Sequence, residues 1–327
     1  MKNLWVVLAL AACSSKKAND PPAPPPPVHA DAGVTLPTPP SATDVASIIT
    51  GCWAAQSRGD IKALGDCYAE AVTVESPGAS FPPLTDKTKV LEAQAGMKHA
   101  FPDLEAKPVK IIVDHRDHYD AALALVRLTG TEATSKNPIG LLGAVYYELE
   151  HGKITHERDF FDARTISDQI AGGNPRSRAW NSDNTLPPDG DGDPDGLTTA
   201  NALSLAFDKR DWATVGKLVD DNVIWSDRSE PSDWTKAQFL ADRKGSVVAF
   251  PDVRIDVTSE WSSGAYVVEQ GAIQGTNNGP LGASPATHKK ISVPYLALYQ
   301  VRDHKILRAW VFLQGNALVT QLGLDAK

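Results

Sequence analysis

Two tandem α+β domains, each with N-terminal helices packed on a curved antiparallel sheet, are predicted by this chain of 327 residues. Three observations predict them. The stretch "AFPDL" at 100–104 returns as "AFPDV" at 249–253, and the repeat extends along the chain rather than resting on one motif. Within each copy, segments with helical periodicity come first and alternating, strand-like segments follow, which is the order of an α+β domain. The length and a hydrophobic content of 42% allow two buried cores.

In chain order, "MKNLWVVLALAAC" carries Lys2, an apolar run from Leu4 to Ala12, and Cys13. The run is too short to cross a bilayer and fits a cleavable secretory signal over residues 1–13. "LAAC" resembles a bacterial lipobox, which implies cleavage before Cys13 and a lipid anchor on its sulfur. Ser14 after it implies the outer membrane of a bacterial cell envelope. Residues 14–41 are dense in proline and lack an apolar period, the composition of an extended, disordered tether.

The first copy spans 42–172, with helical segments at 42–57, 60–70 and 86–99. Arg58-Gly59-Asp60 separates the first two, since Gly breaks a helix and Asp caps the next. Cys52 and Cys67 flank that turn at nearly equal distances, and two readings stand. One is a disulfide, worth roughly 3 kcal/mol in the chain-entropy model; the other is a pair of small thiols in a helix interface. The Phe-Pro-Asp corner at 101–103 then ends the helices, because proline fixes φ and cannot continue one. Strand-like segments follow at 108–114, 120–131, 143–150 and 153–161, and a helix at 163–171 closes the copy.

The second copy spans 198–327. "LVDDNVIW" from Leu218 answers "CYAEAVTV" from Cys67, Gly275-Thr276 answers Gly130-Thr131, Lys305-Ile306 answers Lys153-Ile154, and Gln321-Leu322 answers Gln169-Ile170. Leu203 and Leu218 fall opposite the two cysteines. Strands are expected at 252–259, 265–276, 290–301 and 304–313, with a closing helix at 316–322. Pro294 inside a strand pattern predicts a bulge or an edge position.

The linker, 173–197, contains "DGDGDPDG". Asp191, Asp193 and Asp195 with Gly196 begin like a calcium loop, but Ala202 stands where a bidentate Glu is due. An acidic flexible linker is the expected reading, with no metal and no other cofactor. The net charge of −8 speaks against nucleic acid as a partner.

The helix pair, "FPDL", the Gly-Thr strand, "GKITHERDFFDARTISDQI" and the closing Gln-Ile or Gln-Leu helix together resemble the SnoaL-like polyketide cyclase group. That group shares a cone-shaped fold with ketosteroid isomerase, scytalone dehydratase and limonene epoxide hydrolase. The resemblance covers nearly all of 42–172 and 198–324 and implies a ligand cavity inside each cone. Residues two apart share a face of the last long strand, so His156, Arg158, Phe160 and Asp162 are expected to line the first cavity. Arg308, Trp310, Phe312 and Gln314 take those places in the second.

By resemblance Asp162 is the acid/base carboxyl, and the second copy lacks it. Asp162 also stands where a helix N-cap is due. A carboxylate in a mostly apolar pocket has a raised pKa, suited to proton transfer next to a carbonyl. His156 or Arg158 would stabilise the enolate, and Tyr68, Tyr147 and His99 would add contacts. Together these imply a lipid-anchored envelope protein binding a small apolar or carbonyl-containing ligand, with metal-free cyclase or isomerase chemistry in the first domain. The competing classes are a non-catalytic binder, to which the second copy would bring Trp225, Trp234, Tyr266, Tyr295 and Trp310, and a scaffold. In the scaffold the two cones pack through their open sheet faces, or the protein forms a homodimer. The epoxide-hydrolase set is incomplete, because Arg254-Ile255-Asp256 faces Gln314 where a second carboxylate is due.

Overall fold

The computed structural model describes residues 42–79, 81–173 and 193–324. The expectations for the signal, Cys13, the tether and Asp191 lie outside these residues.

In the first domain α1 (Ala42–Arg58) and α2 (Ile61–Gly65) precede β1 (Tyr68–Glu75), and α3 (Lys87–Ala100) precedes β2 (Glu105–His115), β3 (Asp120–Thr131), β4 (Pro138–Glu150), β5 (Lys153–Phe160) and α4 (Ala163–Ile170). Gly59 turns the chain with φ +69, and Asp60 caps α2 by accepting from Ala63 N. The Cys52 and Cys67 sulfurs are bonded to each other, with their Cα atoms 5.9 Å apart, so α1 is pinned at the entry to β1.

The segment "YAEAVTVE" is a strand, where a helix was expected to reach residue 70. A break in its register between Tyr68 and Thr73 disrupts the alternation that would have marked it. It runs parallel to β5, so the sheet, ordered β1-β5-β4-β3-β2, is mixed and not wholly antiparallel.

The second domain repeats the plan with α5 (Gly196–Asp208), α6 (Trp212–Leu218), β6 (Val219–Asp227), α7 (Lys236–Ala249), β7 (Arg254–Ser263), β8 (Tyr266–Thr276), β9 (Lys290–Arg302), β10 (Lys305–Leu313) and α8 (Gly315–Leu322). Its sheet order is β6-β10-β9-β8-β7. Pro294 is neither on an edge strand nor at a bulge. It pairs with Ala272 in the interior strand β9, and its carbonyl accepts from Gln314 N just past the end of β10. Its missing N–H therefore faces a place where the β10 ladder has already stopped.

The repeated motifs turn out to be partners. Asp103 of the first Phe-Pro-Asp corner accepts from Thr131 N at 2.6 Å and Thr131 Oγ1 at 2.8 Å, and Asp252 binds Thr276 in the same way at the same distances. Each corner is thus tied to the end of the Gly-Thr strand. Gln169 clasps both backbone groups of Gly140, and Gln321 clasps both of Ser292, which locks each closing helix onto its sheet.

Each sheet has two covered faces. Helices cover one, burying Val45, Ile49, Leu64, Val126 and Ile154 in the first domain and Leu203, Phe207, Val215 and Ile306 in the second. The other faces pack on one another, with Leu123, Leu125, Tyr146 and Phe160 in one apolar layer with Leu296, Leu298, Trp310 and Phe312. Arg158 Nη1 donates to Gln270 Oε1 across this layer at 3.0 Å. No described helix is long and apolar enough to cross a membrane.

Candidate functional site

Strand parity decides which side chains enter the cone. Across the β4–β5 ladder Tyr147 pairs with Glu157 and Val145 with Asp159, while Tyr146 pairs with Arg158 and Ala144 with Phe160. Val145 and Tyr147 belong to the helix-covered core; Ala144, Tyr146 and Phe160 belong to the layer between the domains. Glu157 and Asp159 therefore face the cone interior, and His156, Arg158 and Phe160 face away from it. This corrects the expected set by one residue. The expected set ran on to Asp162, which lies beyond the end of β5 and has left the strand.

Inside the first cone, Glu157 is buried and its Oε2 accepts from Tyr68 OH at 3.0 Å. Burial pushes the Glu157 carboxyl well up, and the neighbouring Asp159 charge pushes it further. Burial also raises Asp159. Its Oδ1 is sealed from solvent and receives no hydrogen bond among the described residues. Tyr147, fully enclosed, is raised by burial first and by Glu157 second. The free space beside Trp53, Gln56, Tyr68, Gln94, Tyr147 and Glu157 is about 10 Å³, room for about one water. Tyr68 and Tyr147 thus line this space, while His99 is exposed on α3.

His156 and Arg158 belong to an ionic cluster at the rim between the domains. His156 Nε2 lies 3.2 Å from Glu75 Oε1 and its Nδ1 lies 3.8 Å from Glu148 Oε2; Arg158 Nε lies 2.7 Å from the same Glu75 oxygen. The hydrogen bond to Glu148 is the main reason the imidazole is raised.

Asp162 is the N-cap of α4, accepting from Arg164 N, Thr165 N and, at 2.6 Å, Thr165 Oγ1. Burial nevertheless raises its pKa against those bonds. It lines a separate cleft of about 250 Å³ between the domains with Arg164, Asp168, Ser229 and Glu230.

The second cone is built differently. Ala309 and Val311 face its core, while Trp310 and Phe312 lie in the layer between the domains, and Arg308, also on the strand, is half-buried. Gln314 is buried beside the first domain, where a Cβ on Gly78 would lie 3.2 Å from its own Cβ. Tyr266 joins the same layer. Trp225 stacks on Phe239 with ring centroids 4.0 Å apart, and its backbone pairs with that of Trp234.

A buried carboxyl of this cone is Glu269 on β8, outside the residues the sequence pointed to. Its Oε1 accepts from Tyr295 OH at 2.7 Å and Tyr299 OH at 3.2 Å, its Oε2 from Ser204 Oγ at 3.4 Å, and burial pushes it up to about 7. A signal was there to read, since Glu269 is the single charged residue in "YVVEQGAIQGT". "KITHERDF" offers none, because polar residues occupy both of its faces.

In the linker, Asp193 accepts from His304 N and Asp195 N, which ties it to the β9–β10 turn. Ligand atoms of Asp193, Asp195 and His304 lie within 4.8 Å of one another. Arg254 Nη2 donates to Gln274 Oε1, and Gln274 Nε2 donates to Asp256 Oδ2.

Comparison with known proteins fits this geometry. The profile of the SnoaL-like polyketide cyclases matches residues 198–322, and that of the SnoaL-like domain matches 49–157. No curated protein sequence matches the chain. Among solved structures, IdmH of Streptomyces antibioticus is 20% identical over 39% of this chain and 98% of its own, with a TM-score of 0.37. A SnoaL-like protein of Jannaschia sp. CCS1 is 18% identical over 41% of this chain and 97% of its own, with a TM-score of 0.37. A Catenulispora acidiphila protein with a ketosteroid isomerase-like fold, solved with trimethylamine, is 16% identical over 38% of this chain and 92% of its own, with a TM-score of 0.33. With one profile on each half and one sheet order in both, the chain belongs to the SnoaL-like family and carries its α+β cone fold as two tandem domains.

Proposed function

We propose that the first cone binds a small apolar or carbonyl-containing molecule and exchanges protons with it through Asp159 and Glu157, in a protein anchored to the bacterial outer membrane by a lipid on Cys13. One observation carries the chemistry: two carboxyls on one strand face, both raised, one with an oxygen that has no hydrogen-bond partner among the described residues. The Asp159 charge adds to burial in raising Glu157, so the pair offers an acceptor in Asp159 and a donor in Glu157. Asp159 takes a proton from the carbon next to the carbonyl. The electron pair moves to the carbonyl oxygen, which receives a proton from the Glu157 carboxyl. Tyr68, bonded to Glu157, keeps that carboxyl in place. Asp162, His156 and Arg158 have no part in this step, because they lie outside the cone.

The lipobox and the proline-rich tether support the anchor, and the tether would hold both cones clear of the membrane surface. The small free space favours a second reading, a non-catalytic binder or envelope scaffold. Deuterium exchange at the α-carbon of butanone separates the two. Asp159→Asn should slow it about 10²–10⁴-fold, the usual worth of a general base, while Asp162→Asn leaves it alone. Exchange that no variant alters, or that never exceeds the buffer rate, leaves the scaffold reading.

A further inference from the structure

The free space of the first cone holds about one water and is lined by Trp53, Tyr68, Tyr147 and Glu157 rather than by Asp159, so a ligand reaches Asp159 only if a side chain moves. Most of the wall is fixed. Trp53 follows Cys52, whose disulfide ties α1 to the entry of β1. Tyr68 is bonded to Glu157. Tyr147 sits mid-strand in β4, laddered on both sides by β3 and β5.

Phe161 is different. It lies one residue past the end of β5, outside the ladder, and its side chain is only partly buried. Its ring lies against Gly143, so close that a Cβ there would come within 2.2 Å of Cδ1 and 2.3 Å of Cε1. Trp53 meets its other side edge-on, with centroids 6.5 Å apart.

The second cone fills the same space in another way. By the match of Lys153 with Lys305, Tyr295 answers Gly143 and Leu313 answers Phe161, and those two residues are register partners. There the ring grows from the strand itself and is locked through its hydroxyl onto Glu269 at 2.7 Å. In the first cone the ring hangs from a residue between β5 and α4, and a phenylalanine has no polar atom to lock.

We infer that Phe161 is a plug, and that the ligand of the first cone occupies the Gly143 notch in place of its ring. The ligand then presents a flat, ring-sized apolar group to Gly143 and Trp53 and a hydrogen-bond donor to the open Oδ1 of Asp159, two residues back on the same face. The inference rests on the first cone being a ligand site; it does not require turnover.

The test uses the whole chain with phenol, toluene and anisole, which are close in size and differ in carrying a donor, no polar atom, or an acceptor alone. Binding is followed by calorimetry and by the ¹³C carboxyl shift of Asp159. Phe161→Ala should bind phenol about tenfold more tightly than the wild type does, and about tenfold more tightly than it binds toluene or anisole. Adding Asp159→Leu should level the three probes. Phe161→Leu, which copies the second domain's residue and keeps an apolar side chain, should lie between Ala and wild type even if the alanine variant folds poorly.

Equal binding of each probe by Phe161→Leu and the wild type overturns the plug. Phenol binding no tighter than toluene, with the Asp159 carboxyl shift unmoved, overturns the donor requirement. Failure here is distinct from failure of the proton chemistry: phenol binding without butanone exchange keeps the plug and removes the catalyst, and exchange without the Phe161 effect does the reverse.

Discussion

Glu269 shows what burial does to one carboxyl even when its bonds are satisfied. Three hydroxyls converge on it, yet removal from water outweighs them and lifts it to about 7 from an ordinary value of 4.5. A folded-state value above the unfolded one means that the native protein holds this proton more tightly. Its contribution to stability is therefore complete below about pH 4.5 and is lost as pH rises through about 7. A shift of that size corresponds to roughly 3 kcal/mol. Glu269→Gln keeps an oxygen for the two tyrosines and cannot ionise. Urea unfolding at pH 4 and pH 8 should show the wild type losing about 3 kcal/mol more than the variant does on going to high pH. Parallel losses in the two proteins would mean that Glu269 titrates as an ordinary surface acid.

At the scale of elements, the disulfide offers the clearest measurement. It closes a loop with a sequence separation of 15, for which the chain-entropy model gives about 3 kcal/mol. Replacing both cysteines with alanine should lower the first domain's unfolding free energy by about that amount, and reductant should then have no further effect. In the second domain Leu203 and Leu218 pack in the matching core without any cross-link.

The same elements show what the sequence could and could not reveal. Phe-Pro-Asp, Gly-Thr and the closing glutamine were legible because each performs a fixed backbone task in both copies, and tasks of that kind tolerate few side chains. β1 and β6 were missed because each has an irregular register against its parallel partner, which blurs a period of two. The candidate site was missed by one residue for a related reason. In "KITHERDF" neither face is apolar, so only the pairing with Val145 and Tyr147 reveals which side is inside.

For the whole molecule, the shared layer makes two domains depend on each other. An open sheet face is an apolar surface that needs a cover, and here each domain supplies the other's. Leu298 of β9 is fully buried in that layer, in company with Leu123 and Leu125 of β3. Leu298→Ala should cost about 2–5 kcal/mol, as buried leucine truncations do. The informative readout is where that loss appears. If the layer couples the domains, amide exchange should quicken not only in β8, β9 and β10 but also across β3 and β4, which the mutation does not touch. An increase confined to the second domain would mean that the faces touch without sharing stability. The covered faces also leave no open surface in this layer for a second copy, so the chain from residue 42 onward should not self-associate through them. A layer weakened by Leu298→Ala should then expose both faces together, with self-association rising alongside exchange in β3.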